Sequence, residues 1–171
     1  MSYQKLQTRQ GLLIIPSDVV EIPDPSTLVL SGQADFSTPG TLTDVGTTFL
    51  SDGIQQGAIV YNTTDKVAYY VEDVTDDLNL QITSIAGGGA AANYVIYNAA
   101  TIGCTLFVGN EGAGAKNADV NVKMAVDKGQ IPGEYFQKIN YKNVEVGKFM
   151  SIQVVQVFAT DTTATDIIGM W

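Results

Sequence analysis

The chain has 171 residues, 45% of them hydrophobic, and a mean hydropathy of +0.10, which excludes general disorder and fits one ordinary domain or two small modules. A net charge of -9 disfavours binding to the phosphate backbone of nucleic acids, and apolar runs such as 12–15 are too short to span a bilayer. We therefore expect neither a nucleic-acid nor a membrane partner.

The sequence contains no histidine and a single cysteine, Cys104. Absence of histidine removes the commonest general base and the commonest zinc ligand, and one cysteine cannot form an internal disulfide. The first ten residues also lack the basic-then-apolar layout of a secretion signal, so we expect assembly in a reducing cytoplasm. We therefore expect that the protein is not an enzyme. We identify no catalytic, cofactor-binding or metal-binding residues in the sequence, and we expect no cofactor.

In chain order, the first β-like runs are 12–15 and 27–30, separated by prolines at positions 16, 23 and 25. Proline keeps a chain extended and removes a hydrogen-bond donor. This pattern predicts an extended N-terminal arm, and the stretch 3–25 is the segment expected to reach a neighbouring subunit.

Residues 31–93 have strand signals of their own, at 58–61, 67–71 and 78–82, with turns between them. The small-residue stretch 86–92 then marks the end of this segment. It holds one base and eight acids, a net charge of -7, whereas 1–30 and 94–171 carry -1 each. We interpret 31–93 as an inserted acidic β-meander module and 1–30 with 94–171 as one outer β domain.

Strand patterns resume at 94–97 and 104–108, followed by 119–126, in which valines alternate with polar residues. Further strands are predicted at 135–141 and 149–158, where a change of phase after Val154 indicates a bulge or burial on both faces. The predicted fold class is mainly β, a small antiparallel β-sandwich or barrel-like domain with the inserted meander.

Two patterns resemble ligand sites. The glycine-rich stretch 109–116 resembles a phosphate loop, but Lys116 comes one residue late and a strand follows where a helix is needed. Asp73, Thr75, Asp77 and Asn79 have calcium-loop spacing, although Leu78 and Ser84 occupy the glycine and glutamate positions. We interpret them as a hairpin loop and an acidic turn.

The remaining candidates favour structural roles. Cys104 beside an apolar run is typical of a small buried hydrophobe. Tyr69 and Tyr70 could serve a sugar-binding surface if exposed, although tyrosine in a strand is more often core or interface. Trp171, the last residue, is expected to anchor the terminal strand.

The C-terminal part resembles the head spike base proteins of gene transfer agents and related tailed phages. The segments that carry this resemblance are Cys104–Gly109, Asp119–Val122, the turn Tyr141–Gly147, the tail motif Ala159–Ala164 and, more thinly, Ile15–Asp18. Asp161 stands where that family usually has glycine, a substitution tolerated at positive φ. Residues 57–65 and 71–74 are similar to a small β module of marine phage virion proteins.

This resemblance implies a virion structural protein on the capsid exterior, either a decoration or cement protein or a head-spike base oligomer. Its partners would be the major capsid protein or other virion proteins and further copies of itself, as a trimer or a pentamer. A neck, tail or baseplate component is one alternative. A carbohydrate-binding module for host recognition is another, from a different functional class.

Overall fold

The computed structural model describes residues 10–83, 88–109, 116–125 and 138–171. The strands of these residues are β1 (Gly11–Leu13), β2 (Leu28–Ala34), β3 (Thr41–Thr43), β4 (Ile59–Asn62), β5 (Val67–Val74), β6 (Asn79–Ile82), β7 (Ala92–Tyr97), β8 (Cys104–Phe107), β9 (Asn117–Met124), β10 (Lys138–Glu145), β11 (Phe149–Val157) and β12 (Ile168–Met170). A single-turn 3-10 helix at Pro25–Thr27 precedes β2. In these ranges no helix is long and apolar enough to cross a membrane. The predicted mainly β, antiparallel fold class is confirmed.

The first sheet has the strand order β1-β12-β8-β11-β9-β10, and all of its pairings are antiparallel. The alternation predicted for β9 is present in part: Val120 and Val122 are fully buried, and Asp119 and Lys123 on the other face are partly exposed, but Asn121 between them is buried beneath Thr160. The two valines pack with Leu106 of β8 in one hydrophobic core. Burial of each such side chain contributes about 1.5–3 kcal/mol.

A bulge interrupts β11, as its change of hydrophobic phase predicts. Val154 lies opposite Met124, but Gln156 lies opposite the adjacent Lys123, so one extra residue is accommodated in β11. The bulge turns Gln156 into the protein, where its Nε2 donates to the Ser17 carbonyl at 2.9 Å. A buried amide is tolerated here because it is hydrogen-bonded.

The second sheet has the order β2-β7-β4-β5-β6-β3, in which β4, β5 and β6 form the predicted meander. It curls until Asp35, just after β2, pairs with Thr43 of β3 through two hydrogen bonds of 2.8 and 3.0 Å. The concave side encloses a core of aromatic and aliphatic residues, among them Phe36, Phe49 and Tyr94. We call residues 28–97 the acidic module, because the sheet begins and ends outside the predicted limits of 31 and 93.

The N-terminal segment runs along the first sheet of its own chain. Ile14 donates its N–H to Ile167 at 2.8 Å, Ser17 donates to Val157 at 2.9 Å, and Ile22 donates to Val155 at 2.8 Å. Residues 10–25 therefore pair with their own chain instead of forming an extended arm, and contact of this segment with a neighbouring subunit stays a prediction. Its prolines do not prevent pairing, because the residues between them supply the donors. Residues 1–9 lie outside the described part.

The same segment joins the two sheets. Ile15 and Val20 are buried against Ile59 and Tyr61 on the convex side of the second sheet. Glu21 accepts from Lys123 Nζ at 2.7 Å. The chain enters and leaves the acidic module at one place, because the N–H of Asn98 donates to the carbonyl of Thr27 at 3.0 Å.

The turn at Asp161, where the resembled family usually has glycine, has a backbone geometry that aspartate can adopt. Asp161 has a φ of 63°, in the left-handed region that Asp enters more readily than most residues. The neighbouring Thr160 and Thr162 bond to Asn121 of β9, since Asn121 Nδ2 donates to the Thr160 carbonyl at 2.9 Å and its N–H donates to Thr162 Oγ1 at 3.0 Å. The condition under which aspartate is tolerated at this position is therefore met.

Candidate functional site

Four apolar side chains form a continuous line across the outer face of the first sheet. Leu13 lies opposite Ile168, Ile168 opposite Phe107, and Phe107 opposite Phe149, so direct register places all four on one face. Three strand spacings give this line a length of about 14 Å. We call these four residues the apolar row.

The apolar row is accessible to solvent at both ends. Leu13 is 43% exposed and Phe149 is 65% exposed, while Phe107 and Ile168 are partly buried between them. The rings of Phe107 and Phe149 pack edge to face with their centroids 5.1 Å apart. Single exposed apolar residues are common, but a contiguous line is typical of an interaction surface.

On one side of the apolar row, the neighbouring residues are uncharged. The next cross-strand set on the same face is Gly11, Met170 and Thr105, and Ser151 follows on β11. On the other side of the row lie the exposed Asp166, beside Gly109, and the ion pair of Lys148 and Glu145 at the β10–β11 turn, whose charged atoms are 3.3 Å apart. This face therefore combines an apolar centre with a polar border that holds few charges, the composition of many protein interfaces.

The acidic residues are concentrated in the other sheet. The acidic module contains eight acids and one base: Asp35, Asp44, Asp52, Asp65, Glu72, Asp73, Asp76, Asp77 and Lys66. Several of the carboxylates hold turns. Hydrogen bonds from Ser37 lower the pKa of Asp35, and hydrogen bonds from Asn79 and Leu78 lower the pKa of Asp76. These groups stay charged at neutral pH, so the module presents a negative surface.

The calcium-like spacing forms a turn between β5 and β6. Asp77 Oδ1 accepts from the N–H groups of Leu50 and Ser51 at 3.1 and 3.3 Å, which ties a distant loop to the turn. Over the described ranges, no group of three or more acidic or cysteine side chains could hold a metal ion. Most of the glycine-rich stretch predicted as a hairpin loop, residues 110–115, lies outside the described residues.

Cys104 is a buried residue of the first core. It is 1% exposed, and its Sγ lies 3.5 Å from the carbonyl oxygen of Val154. Burial raises the pKa of the Cys104 thiol to about 12, which keeps it protonated and unreactive. Beside it, Trp171 packs on the same core and donates its Nε1 proton to Thr101 Oγ1 at 2.8 Å.

The two tyrosines considered for sugar binding are engaged inside the molecule. Tyr69 is 2% exposed and stacks on Phe36 with ring centroids 5.7 Å apart. Tyr70 is half-buried, and its hydroxyl accepts from the N–H of Glu21 at 3.0 Å. Neither ring offers the open platform that a sugar would stack on, so this pair gives no support to the carbohydrate-binding alternative.

Two features of this molecule are missed by sequence reasoning. One is the apolar row, because its members come from four strands far apart in the chain. The other is a partly buried pair in the acidic module, where Tyr94 donates its hydroxyl proton to Asp44 Oδ2 at 2.7 Å. Burial and this hydrogen bond raise the pKa of Tyr94. Asp44 follows the three-residue β3, which is too short to be recognised from its pattern.

Comparison of the chain with protein-family models, with curated proteins and with solved structures gives no match.

Proposed function

We propose that this protein is a non-enzymatic structural component of a tailed-phage virion that binds the capsid exterior, as a decoration or cement protein or as a head-spike base oligomer. The first sheet faces the shell through the apolar row, and the acidic module faces outward. The resemblance of residues 104–171 to head spike base proteins supports the virion role.

The observation that carries the orientation is the separation of apolar and acidic surfaces. The apolar row lies on the first sheet, with Asp166 and one ion pair on one border, whereas the acidic module holds a net charge of -7. Capsid exteriors are commonly acidic, so contact through the acidic module would be repulsive. Contact through the apolar row reduces this repulsion and removes apolar surface from water.

Self-association belongs to the same proposal. A line of four side chains is small beside the roughly 800 Å² per partner that a stable protein interface buries. One copy therefore binds a shell weakly through this row, and several copies held together bind much more strongly through multivalency. A trimer or a pentamer would supply that gain.

The test is co-sedimentation with virus particles that lack the native protein. Phe149→Ser shortens the apolar row and should reduce the amount retained at least several-fold, because an exposed aromatic anchor is lost. Val45→Ser is the matched control, since Val45 is 85% exposed but lies in the acidic module. We expect this control to sediment like the unmodified protein.

The outcomes separate the alternatives. Equal retention of Phe149→Ser and the unmodified protein would refute attachment through the apolar row. Loss of binding in Val45→Ser alone would reverse the orientation. Cryo-EM density on the neck, tail or baseplate instead of the capsid would favour that alternative position.

A further inference from the structure

Two loops at one end of the second sheet carry exposed aliphatic side chains. They follow β3 and β5, over residues 44–52 and 75–78, and we call them the acidic loops. Val45, Leu50 and Leu78 account for three of the eight large hydrophobic side chains that are exposed in the described residues. Single exposed aliphatic side chains need no explanation, but several grouped together are typical of an interaction surface.

Hydrogen bonds hold the two acidic loops together. The N–H of Asp44, the residue before Val45, donates to the carbonyl of Leu78 at 2.9 Å and so continues the pairing of β3 with β6. The N–H of Leu50 donates to Oδ1 of Asp77, the residue before Leu78, at 3.1 Å. Each of the three aliphatic residues therefore makes one of these bonds or adjoins a residue that does, and the three are grouped at one end of the sheet.

The acidic loops carry four carboxylates and no base: Asp44, Asp52, Asp76 and Asp77. Within the described residues, none of the four forms an ion pair with a lysine. The only base of the acidic module, Lys66, precedes the other end of β5, about 25 Å away along the strand. That distance is several times the Debye length of about 8 Å at physiological salt, so the acidic loops present a negative surface.

The carboxylates shape the acidic loops, whereas the exposed aliphatic side chains do not. Asp44 Oδ1 accepts from the Gly46 N–H at 2.8 Å, and Asp76 Oδ1 accepts from the Leu78 N–H at 2.8 Å. A carboxylate has about four acceptor positions, so both groups can accept further hydrogen bonds from a partner. The aliphatic side chains gain free energy only when a partner removes them from water. A partner that satisfies both features supplies cationic donors and apolar surface together.

We propose that the acidic loops bind a short protein segment in which lysine or arginine side chains flank apolar ones. The ammonium or guanidinium groups donate to the remaining acceptor positions of the carboxylates, and the apolar side chains cover Leu50 and Leu78. A short segment suits this surface, because three aliphatic side chains are a small part of the roughly 800 Å² per partner that a stable interface between folded proteins buries.

The charge of the acidic loops selects this occupant over others. A second copy placed loop to loop would oppose four carboxylates with four more, and an acidic shell would be repelled in the same way. A metal ion alone would leave the three aliphatic side chains in water, and in the described ranges no group of three acidic side chains could hold one. A cationic segment with apolar side chains complements both the charge and the aliphatic surface.

This inference goes beyond the proposed function, because it concerns a surface other than the apolar row. Its test uses purified protein and no virus particles. Failure of capsid attachment therefore leaves this test unaffected, and failure of this test leaves attachment through the apolar row unaffected.

The first experiment measures the binding of fluorescein-labelled peptides to the purified protein by fluorescence anisotropy. Peptides of equal length are compared, one of lysine and leucine, one of lysine and serine, and one of glutamate and leucine. We expect saturable binding of the lysine–leucine peptide that weakens as salt is added, and binding about ten-fold weaker for the other two, because each lacks one of the two features. Absence of saturable binding, or equal binding of either comparison peptide, would overturn the proposal.

The second experiment locates the binding surface with matched variants and the lysine–leucine peptide. Leu50→Ser should weaken binding about five-fold, whereas Leu13→Ser, an exposed leucine of the apolar row, should not. Asp52→Asn keeps an acceptor oxygen but removes a charge and should weaken binding, whereas Asp161→Asn, at an exposed position outside the acidic module, should not. Circular dichroism checks that each variant keeps its β structure. Unchanged affinity of Leu50→Ser, or an equal loss in the control variants, would refute binding at the acidic loops.

Discussion

Removal of the acidic module tests whether the first sheet is an independent folding unit. Thr27 and Asn98 are hydrogen-bonded neighbours, so replacing 28–97 by a short Gly-Ser bridge closes the gap without moving either end. The deletion uncovers Ile15 and Val20, which are 6% and 3% exposed in the whole protein. Each side chain loses about 1.5–3 kcal/mol of stabilisation from burial, and the loss of the hydrogen bond from the Glu21 N–H to the Tyr70 hydroxyl adds about 1 kcal/mol.

We therefore expect the shortened protein to fold with a free energy of unfolding about 4–7 kcal/mol lower. Urea denaturation followed by circular dichroism measures it. The comparison variant removes only 31–93, which leaves Tyr94 and Ile96, both buried in the whole protein, without a core. The 31–93 deletion should therefore be less soluble than the 28–97 deletion. An insoluble product or a non-cooperative transition in the 28–97 deletion would show that both sheets share one folding unit.

Three further predictions concern the unmodified fold. Burial raises the pKa of Tyr61 and of Tyr94, and because the unfolded phenols ionise near pH 10, stability in urea titrations should fall as the pH rises above that value; an unchanged midpoint at pH 11 would contradict this. Cys104 should react with a thiol reagent only after denaturation, and rapid labelling of the native protein would contradict its burial. A Cβ at Gly169 would come within 3.2 Å of three core side chains, so Gly169→Val should cost about 1–3 kcal/mol, whereas Gly89→Val, with open space around it, should not.

Strands with a clear local pattern could be predicted from the sequence. β9 shows the predicted alternation except at Asn121, which is buried, and the phase change in β11 predicts its bulge at Val154. The meander is marked by turns rich in Asn and Asp, with Asn62 as an example: its Oδ1 accepts from two turn N–H groups, those of Thr64 and Asp65. Such signals are local, because turn chemistry and side-chain period act over a few residues.

Features that depend on pairing between distant strands could not be predicted. Leu13 and Phe149 are ordinary apolar residues in the sequence, and only the strand order β1-β12-β8-β11 brings them into one line. The prolines of the N-terminal segment predict an extended arm. Its partners, such as the carbonyls of Val155 and Val157, lie more than a hundred residues away and leave no mark on the local pattern.

The pairing of the first strand with the last one determines the order in which the chain can fold. The acidic module is contiguous from 28 to 97, so all of its strands leave the ribosome together and their contacts are short in sequence. The first sheet cannot close until β12 is synthesised, because β12 lies between β1 and β8. The module should therefore fold first during translation, holding the N-terminal segment through Ile15 and Val20 as a partly formed template for the strands that follow.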